Sequence, residues 1–189
     1  MPDTENKVQF GLENVHYAVL TDGVYSKPVP VPGAVNLSLN PVGDLEKFYA
    51  DNVVYYVSNT NNGYDGDLEV AKFPMQMLQD IWGYVLNQND KVLTEMADVP
   101  SVTFALLFRI KGDAANSNYV MYACTATRPG IEGKTIEEGK KTPTTQKSTI
   151  SAVPTDDGKV FARTTKDTPK SVMDSWFTEV YTGESEAES

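Results

Sequence analysis

The side chains best suited to acid, base or nucleophilic chemistry in this sequence are its single histidine, His16, and its single cysteine, Cys124. A histidine base needs a nucleophile and an orienting partner, and His16 lies inside a predicted strand, which favours a structural role. Cys124 lies in an apolar predicted strand, where a small residue packs well. It has no second cysteine for a disulfide and no nearby thiol or histidine for a zinc site. We expect both side chains to be inert.

Two acidic patterns could also do chemistry. Asp65 and Asp67 could act as acid and base on opposite sides of a substrate, but their glycine-bearing surroundings predict a solvated turn. Residues 58–69 have glycine and glutamate at the sixth and twelfth positions of a calcium loop, but hydroxyl side chains occupy its first and third positions. The sequence therefore predicts no catalytic residue, no metal site, no cofactor and no enzymatic activity.

Length and composition limit the class of protein. The chain has 189 residues, 40% of them hydrophobic, with a net charge of −10 and a pI near 4.5. These values predict one globular domain without a basic face for nucleic acid. No run of eighteen apolar residues occurs, and the first residues are polar and acidic, so we expect no membrane span, no signal peptide and cytoplasmic maturation.

Hydrophobic periodicity predicts a chain made mainly of strands. Two-residue alternation indicates strands at residues 14–20, 35–39 and 102–110. Strands are also predicted at 48–58, which is rich in aromatic and β-branched residues, and at 68–72 and 119–126. A turn is expected at Asp51 and Asn52, a polar connection at 59–67, and a loop or protected edge where prolines alternate between residues 28 and 32. The threonine-rich segment 142–153 and the segment 160–165 are predicted to form a hairpin with each other.

The period changes to that of a helix after Pro74. The residues at helical spacing predict one apolar face that packs on the core: Met77, Leu78, Ile81, Trp82 and Val85. A short second helix is predicted after Pro169, with Trp176 on its apolar face. The expected fold is mainly β (α+β), a two-sheet sandwich or barrel-like domain with one flanking helix and a short C-terminal helix. We expect a single domain over 1–182, with a flexible segment at 1–7 and a disordered acidic tail at 183–189.

Charge is unevenly distributed along the chain. Residues 127–170 contain 9 basic and 6 acidic side chains, a net charge of +3, within a molecule of net charge −10. Head-to-tail association between copies could use a basic arm against an acidic body. A solvated hairpin with scattered lysines explains the same composition, so both interpretations stay open.

Three pieces of sequence, in order and spacing, resemble one known family. They are Phe48-Tyr49-Ala50-Asp51-Asn52, then Gly63-Tyr64-Asp65-Gly66-Asp67-Leu68-Glu69, and then Phe104-Ala105-Leu106-Leu107-Phe108. With their surroundings, from residue 8 to residue 165, they resemble the phi13-type major tail proteins, the tail tube proteins of long-tailed, non-contractile bacteriophages.

The resemblance implies a structural role in a virion. It implies hexameric rings that self-assemble and stack into a hollow tail tube, through which DNA passes during genome ejection without specific binding. It also implies contacts with the tape measure protein, the tail terminator and the distal tail or baseplate proteins, and assembly in the host bacterial cytoplasm. A carboxylate-lined lumen would repel DNA phosphates. The alternative function is a non-catalytic β-sandwich module that binds carbohydrate or a receptor, for which exposed aromatic side chains should line a concave patch.

The same resemblance suggests candidate site residues by position along the chain. Residues 41–66 would include the contact to the next ring, with candidates in the ring-stacking segment Asn59, Asn61, Asn62, Gly63 and Tyr64. The candidate lumen carboxylates are the six acidic residues of the most acidic stretch: Asp44, Glu46, Asp51, Asp65, Asp67 and Glu69.

Overall fold

A computed structural model describes residues 6–112, 114–135 and 143–183. The described chain is mostly β, as the sequence predicts. Its elements are β1 (Gln9–Thr21), β2 (Val24–Tyr25), β3 (Val29–Pro30), β4 (Ala34–Val42), β5 (Leu45–Ala50), β6 (Val53–Asn59), β7 (Gly63–Val70), α1 (Met75–Trp82), β8 (Val85–Leu86), β9 (Leu93–Thr94), β10 (Phe104–Gly112), β11 (Ser117–Ala126), β12 (Gln146–Val153), β13 (Phe161–Arg163) and α2 (Lys170–Ser175).

Nine strands form one antiparallel sheet, in the order β2-β1-β10-β11-β12-β7-β4, with β3 added to β1 and β13 added to β11. The strand pairs β5-β6 and β8-β9 form two further small sheets. Side chains of β1, β7, β10, β11 and β12 meet in one core, so the large sheet curls around it. The result is the barrel-like arrangement of two facing layers, connected through β11 and β12.

Helix α1 closes this core. Met77, Ile81 and Trp82 are buried among the strands. The Trp82 indole packs edge to face on Phe73 at 5.1 Å between ring centroids. Its Nε1 donates a hydrogen bond of 3.2 Å to the carbonyl oxygen of Ala126. The helix is therefore fixed to the sheet by both packing and a hydrogen bond.

A second, smaller core lies on the other face of β1, β10 and β11. The C-terminal segment that begins with α2 covers this face, and Trp176 is buried there against Leu107 and Tyr122. The Trp176 indole donates to the carbonyl oxygen of Tyr119 at 3.2 Å. Both tryptophans are therefore core residues, and the central strands are buried on both faces.

Three local predictions were wrong. Helix α1 ends at Trp82 because Gly83 adopts a left-handed conformation, with φ 64°, that terminates the helix. Val85 therefore falls in β8 and is exposed instead of lying on the core face. Strand β7 begins at Gly63 instead of Leu68, because Tyr64 and Leu68 alternate inward along the segment interpreted as a polar connection.

The third error concerns the threonine-rich region. Strands β12 and β13 do not pair with each other, because both add to β11 at different positions along it. Strands β12 and β13 of this basic region are therefore parts of the large sheet and not the two strands of a separate hairpin. Residues 136–142 lie outside the described chain.

The chain ends are described only in part. Asn6 is anchored, since its side chain accepts from the amide N–H groups of Ala114 and Ala115 and donates to the carbonyl oxygen of Ala115. The rest of the predicted flexible start, residues 1–5, and the acidic tail after Gly183 lie outside the described residues. Within the ranges that the structure describes, no helix has the length and apolar character needed to cross a bilayer.

Candidate assembly surfaces

His16 makes structural contacts. Its Nδ1 donates to the carbonyl oxygen of Asn14 at 2.9 Å, and its ring lies 5.1 Å from the ring of Phe177. Arg109 also contacts Phe177, with its guanidinium 5.3 Å from the ring centroid. These contacts attach the C-terminal segment to β1 and β10.

Cys124 is fully buried in β11, and its Sγ donates to the carbonyl oxygen of Met121 at 3.6 Å. Burial raises the pKa of the thiol to about 12. Because the thiolate is the reactive species, this environment suppresses nucleophilic and redox chemistry at Cys124.

We predict that Cys124 does not react with a chromogenic disulfide reagent in the folded protein at pH 8. A rise of the pKa from an ordinary value near 8.5 lowers the thiolate fraction by roughly a thousandfold, and burial excludes the reagent as well. Guanidinium should release one thiol per chain. Stoichiometric labelling of folded protein at the unfolded rate would contradict the buried placement of Cys124.

One face of the sheet formed by β4, β7 and β12 is polar over three successive rows of residues. Paired residues of antiparallel strands point to the same face, and here the register produces three rows of three polar side chains. We call this surface the polar face. Its rows are Asn36, Glu69 and Lys147, then Ser38, Asp67 and Thr149, then Asn40, Asp65 and Ser151.

The polar face has net negative charge, with three carboxylates and one ammonium group among those nine residues. Asp67 accepts from Lys147 Nζ at 2.8 Å and from Thr149 Oγ1 at 2.9 Å. These hydrogen bonds, first that from Lys147 and then that from Thr149, lower the pKa of Asp67, while Asp67 raises the pKa of Lys147. Asp65 is exposed. Asp65 and Asp67 thus share a face, but Asp67 is committed to an ion pair.

Strands β4 and β7 continue past the body of the sheet into β5 and β6. The ladder bridges the junction, since Asn62 N donates to Val42 O at 2.8 Å and Thr60 N donates to Asp44 O at 3.0 Å. The Thr60 side chain adds a bond of 2.9 Å from Asp44 N. The strands approach so closely here that a Cβ on Gly43 would overlap the Thr60 carbonyl oxygen. Residues 34–70 therefore form one long ribbon.

The outer part of this ribbon, residues 45–59, is called here the projecting hairpin. Its turn uses Asp51 and Asn52 at φ 52° and 61°, as type I′ hairpins require. Six residues per strand extend it by about 20 Å. Its large apolar side chains are all between 46% and 75% exposed: Leu45, Phe48, Tyr49, Val53, Val54, Tyr55, Tyr56 and Val57.

Such a hairpin cannot be explained by the fold of one chain. Isolated two-stranded hairpins are at most marginally stable in water, and contiguous apolar patches of this kind mark interaction surfaces. Phe48 and Tyr56 face one another across the ladder, as do Tyr49 and Val54. Both faces of the hairpin are therefore apolar and exposed in the single chain.

The predicted site residues fall into separate places. In the candidate ring-stacking segment, Asn59, Asn61 and Asn62 are exposed at the base of the hairpin, whereas Gly63 is buried and Tyr64 packs edge to face on Phe161. Of the candidate lumen carboxylates, three are on the polar face and three belong to the hairpin or its base. The first group is Asp65, Asp67 and Glu69, and the second is Asp44, Glu46 and Asp51.

Sequence reasoning missed the apolar surface of the hairpin. Residues 53–57 read Val-Val-Tyr-Tyr-Val, which lacks the alternation of a half-buried strand. An apolar run on both faces of a strand requires burial on both faces. This signal, next to a turn at Asp51 and Asn52, could have identified a hairpin with apolar side chains on both faces.

Comparisons with known proteins identify few similarities. No family model matches the chain, and no curated protein matches it. Among solved structures, the chain is similar to the tube-terminating cap of the anti-feeding prophage, determined by cryo-EM. The TM-score is 0.46 at 12% sequence identity, over 85% of this chain and 95% of that one. Because this TM-score is below 0.5, no conclusion about this chain rests on the similarity.

Proposed function

We propose that this chain is a non-catalytic structural subunit that self-assembles into stacked hexameric rings, the tail tube of a long-tailed phage. The observation that supports self-assembly is the projecting hairpin, whose eight large apolar side chains are exposed in the single chain. Such a surface gains free energy of association at about 25 cal/mol per Å² of apolar area removed from water.

The polar face supports a channel role within this proposal. The nine residues of the polar face are carboxylates, one lysine and small polar side chains. None of the nine is aromatic, so bases have no ring on which to stack. Net negative charge repels phosphates and gives DNA no adhesive surface. We therefore assign the lumen to this face, with Asp65, Asp67 and Glu69 as its carboxylates.

The remaining parts of the proposal follow from the sequence resemblance. They are a virion location, assembly in the host cytoplasm, and contacts with tape measure, terminator and distal tail proteins. The alternative, a carbohydrate-binding module, expects aromatic side chains around a concavity. Trp82 and Trp176 are buried, and Phe48, Tyr55 and Tyr56 project on a hairpin. One concavity has aromatic walls, with Phe10, Tyr64 and Phe161 among its lining residues, but a binding module would leave the exposed hairpin unexplained, so the assembly proposal is preferred.

Polar substitution of the hairpin tests the proposal. Val54→Ser with Tyr56→Ser removes apolar area from both faces of the hairpin, and neither side chain belongs to the core. We expect unchanged circular dichroism and thermal melting, with loss of tubes and rings in negative-stain microscopy of concentrated protein. Wild-type protein should form them.

The matched control is Val24→Ser. Val24 is 70% exposed on β2, outside the hairpin, so its substitution should leave assembly unchanged. Normal tubes from the Val54 and Tyr56 double variant would remove the hairpin from the interface. A wild-type protein that stays monomeric at high concentration would count against self-assembly.

A further inference from the structure

An apolar groove lies beside the point where the projecting hairpin leaves the sheet. The groove has a volume of about 540 Å³ and lies between the start of β1, the middle of β4 and the ends of β10 and β11. Its apolar walls are formed mainly by Phe10, Leu12, Leu37, Leu39, Tyr64 and Phe161. Phe10 and Phe161 are 56% and 41% exposed, so the chain's own side chains do not fill it.

The rim of the groove is basic on one side. Gln9 lines both the groove and a neighbouring polar cavity, which contains two cations, Arg163 and Lys166, and one carboxylate, Asp167. Both cations are exposed. Among the residues that the structure describes, no carboxylate oxygen lies within 4 Å of either of them.

The projecting hairpin has complementary chemistry. Its aromatic side chains match the apolar walls, and its turn presents the exposed carboxylate of Asp51. A hairpin lying in the groove through Tyr55 and Tyr56 would bring Asp51 toward the basic rim. Asp51 is close in sequence to Tyr55, and the two cations of the rim are close in sequence to Phe161 in the groove wall. Apolar and charge complementarity therefore coincide.

The projecting hairpin cannot fold back into the groove of its own chain without breaking hydrogen bonds between the two strands of the ribbon. The hairpin keeps the direction of β4 and β7 because the hydrogen bonds from Asn62 and Thr60 continue across the junction. Folding back would break these bonds. The hairpin of the same chain is therefore not the occupant.

We propose that the groove is the docking site for the projecting hairpin of a second copy of this chain, with Asp51 facing Arg163 and Lys166. This inference rests on the proposed self-assembly and names the surface that receives the hairpin. One copy offers a hairpin and a neighbour offers a groove, so the contact is heterologous and propagates around a ring or along a filament.

Charge exchange tests the docking. Asp51→Lys in one variant, and Arg163→Asp with Lys166→Asp in another, should each lower the pelletable assembled fraction by about tenfold. A chain with all three substitutions should recover assembly because the charges are complementary again. All three side chains are exposed, so folding, checked by circular dichroism, should be unchanged.

Disulfide trapping identifies the copy that donates the hairpin. A Tyr55→Cys chain mixed with a Phe161→Cys chain should form a covalent heterodimer on oxidation, and the buried Cys124 should not interfere. Tyr55→Cys mixed with Ser38→Cys, on the polar face, is the control and should not cross-link.

The outcomes separate the two proposals. If the hairpin variants of Val54 and Tyr56 abolish assembly but the Arg163 and Lys166 variant assembles normally, self-assembly stands and the groove assignment is overturned. A cross-link within one chain carrying both Tyr55→Cys and Phe161→Cys, at concentrations where the protein is monomeric, would also overturn it. If none of these variants changes assembly, both proposals fail.

Discussion

Trp82→Ala should not give folded protein. Truncation of a buried tryptophan costs about 3 to 5 kcal/mol, and the Ala126 carbonyl would lose its indole donor as well, at a cost of about 1 to 3 kcal/mol. A domain has only about 5 to 15 kcal/mol of total stability. Since Trp82 also packs on Phe73, its loss would detach α1 from the core.

Two other variants make the Trp82 result interpretable. Trp82→Phe keeps most of the apolar volume but not the hydrogen bond, so it should fold with a lowered melting temperature. Val85→Ala should melt within a few degrees of wild type, because Val85 is 54% exposed. A soluble Trp82→Ala protein with the wild-type melting temperature, measured by circular dichroism, would show that α1 does not stabilise the domain.

The parts of the fold that could be predicted are those with a strong local signal. Four alternating apolar residues in β10 and the positive-φ turn at Asp51 and Asn52 identify their elements without tertiary information. The apolar face of α1 likewise identifies a helix that packs on a core. Periodicity indicates that such side chains are buried, because burial is the reason for the period.

Strand partners could not be predicted in the same way. Segments 146–153 and 161–163 are adjacent in sequence, which favours a hairpin, but each pairs with a different part of β11. Partner choice depends on which edges the rest of the sheet leaves open. Local sequence does not contain that information.

The candidate surfaces also combine features that local sequence predicts with features that only the tertiary structure determines. Charge in the sequence predicted an acidic stretch, but only the register of β4, β7 and β12 separates Asp65, Asp67 and Glu69 from the hairpin carboxylates. The groove could not be predicted at all, because its walls come from strands that are up to 150 residues apart in the chain. Surfaces of this kind exist only after the sheet has curled.

Charge reversal on the polar face should make the proposed channel retain DNA. Asp65→Lys changes the charge of each copy by two, and a proposed ring of six copies by about twelve, repeated in every ring. Asp65 suits this test because it is exposed and forms no ion pair with any residue that the structure describes, whereas Asp67 is paired with Lys147. The substitution should therefore change the channel wall without disturbing the sheet.

Nuclease protection measures the effect. Tubes assembled with short DNA duplexes should protect no DNA in the wild type, and Asp65→Lys tubes should protect duplexes at low salt. Raising the salt should release them, because the Debye length falls from about 10 Å at 0.1 M to about 3 Å at 1 M. The control is Asp174→Lys on α2, which changes the charge equally but lies on the helix that covers β1, β10 and β11, away from the three strands of the polar face. The ion pair of Asp174 is with the exposed Lys170 on the same helix. Equal protection by the Asp65 and Asp174 variants, or none by either, would remove the polar face from the channel wall, because only a residue that lines the lumen can hold DNA where a nuclease cannot reach it.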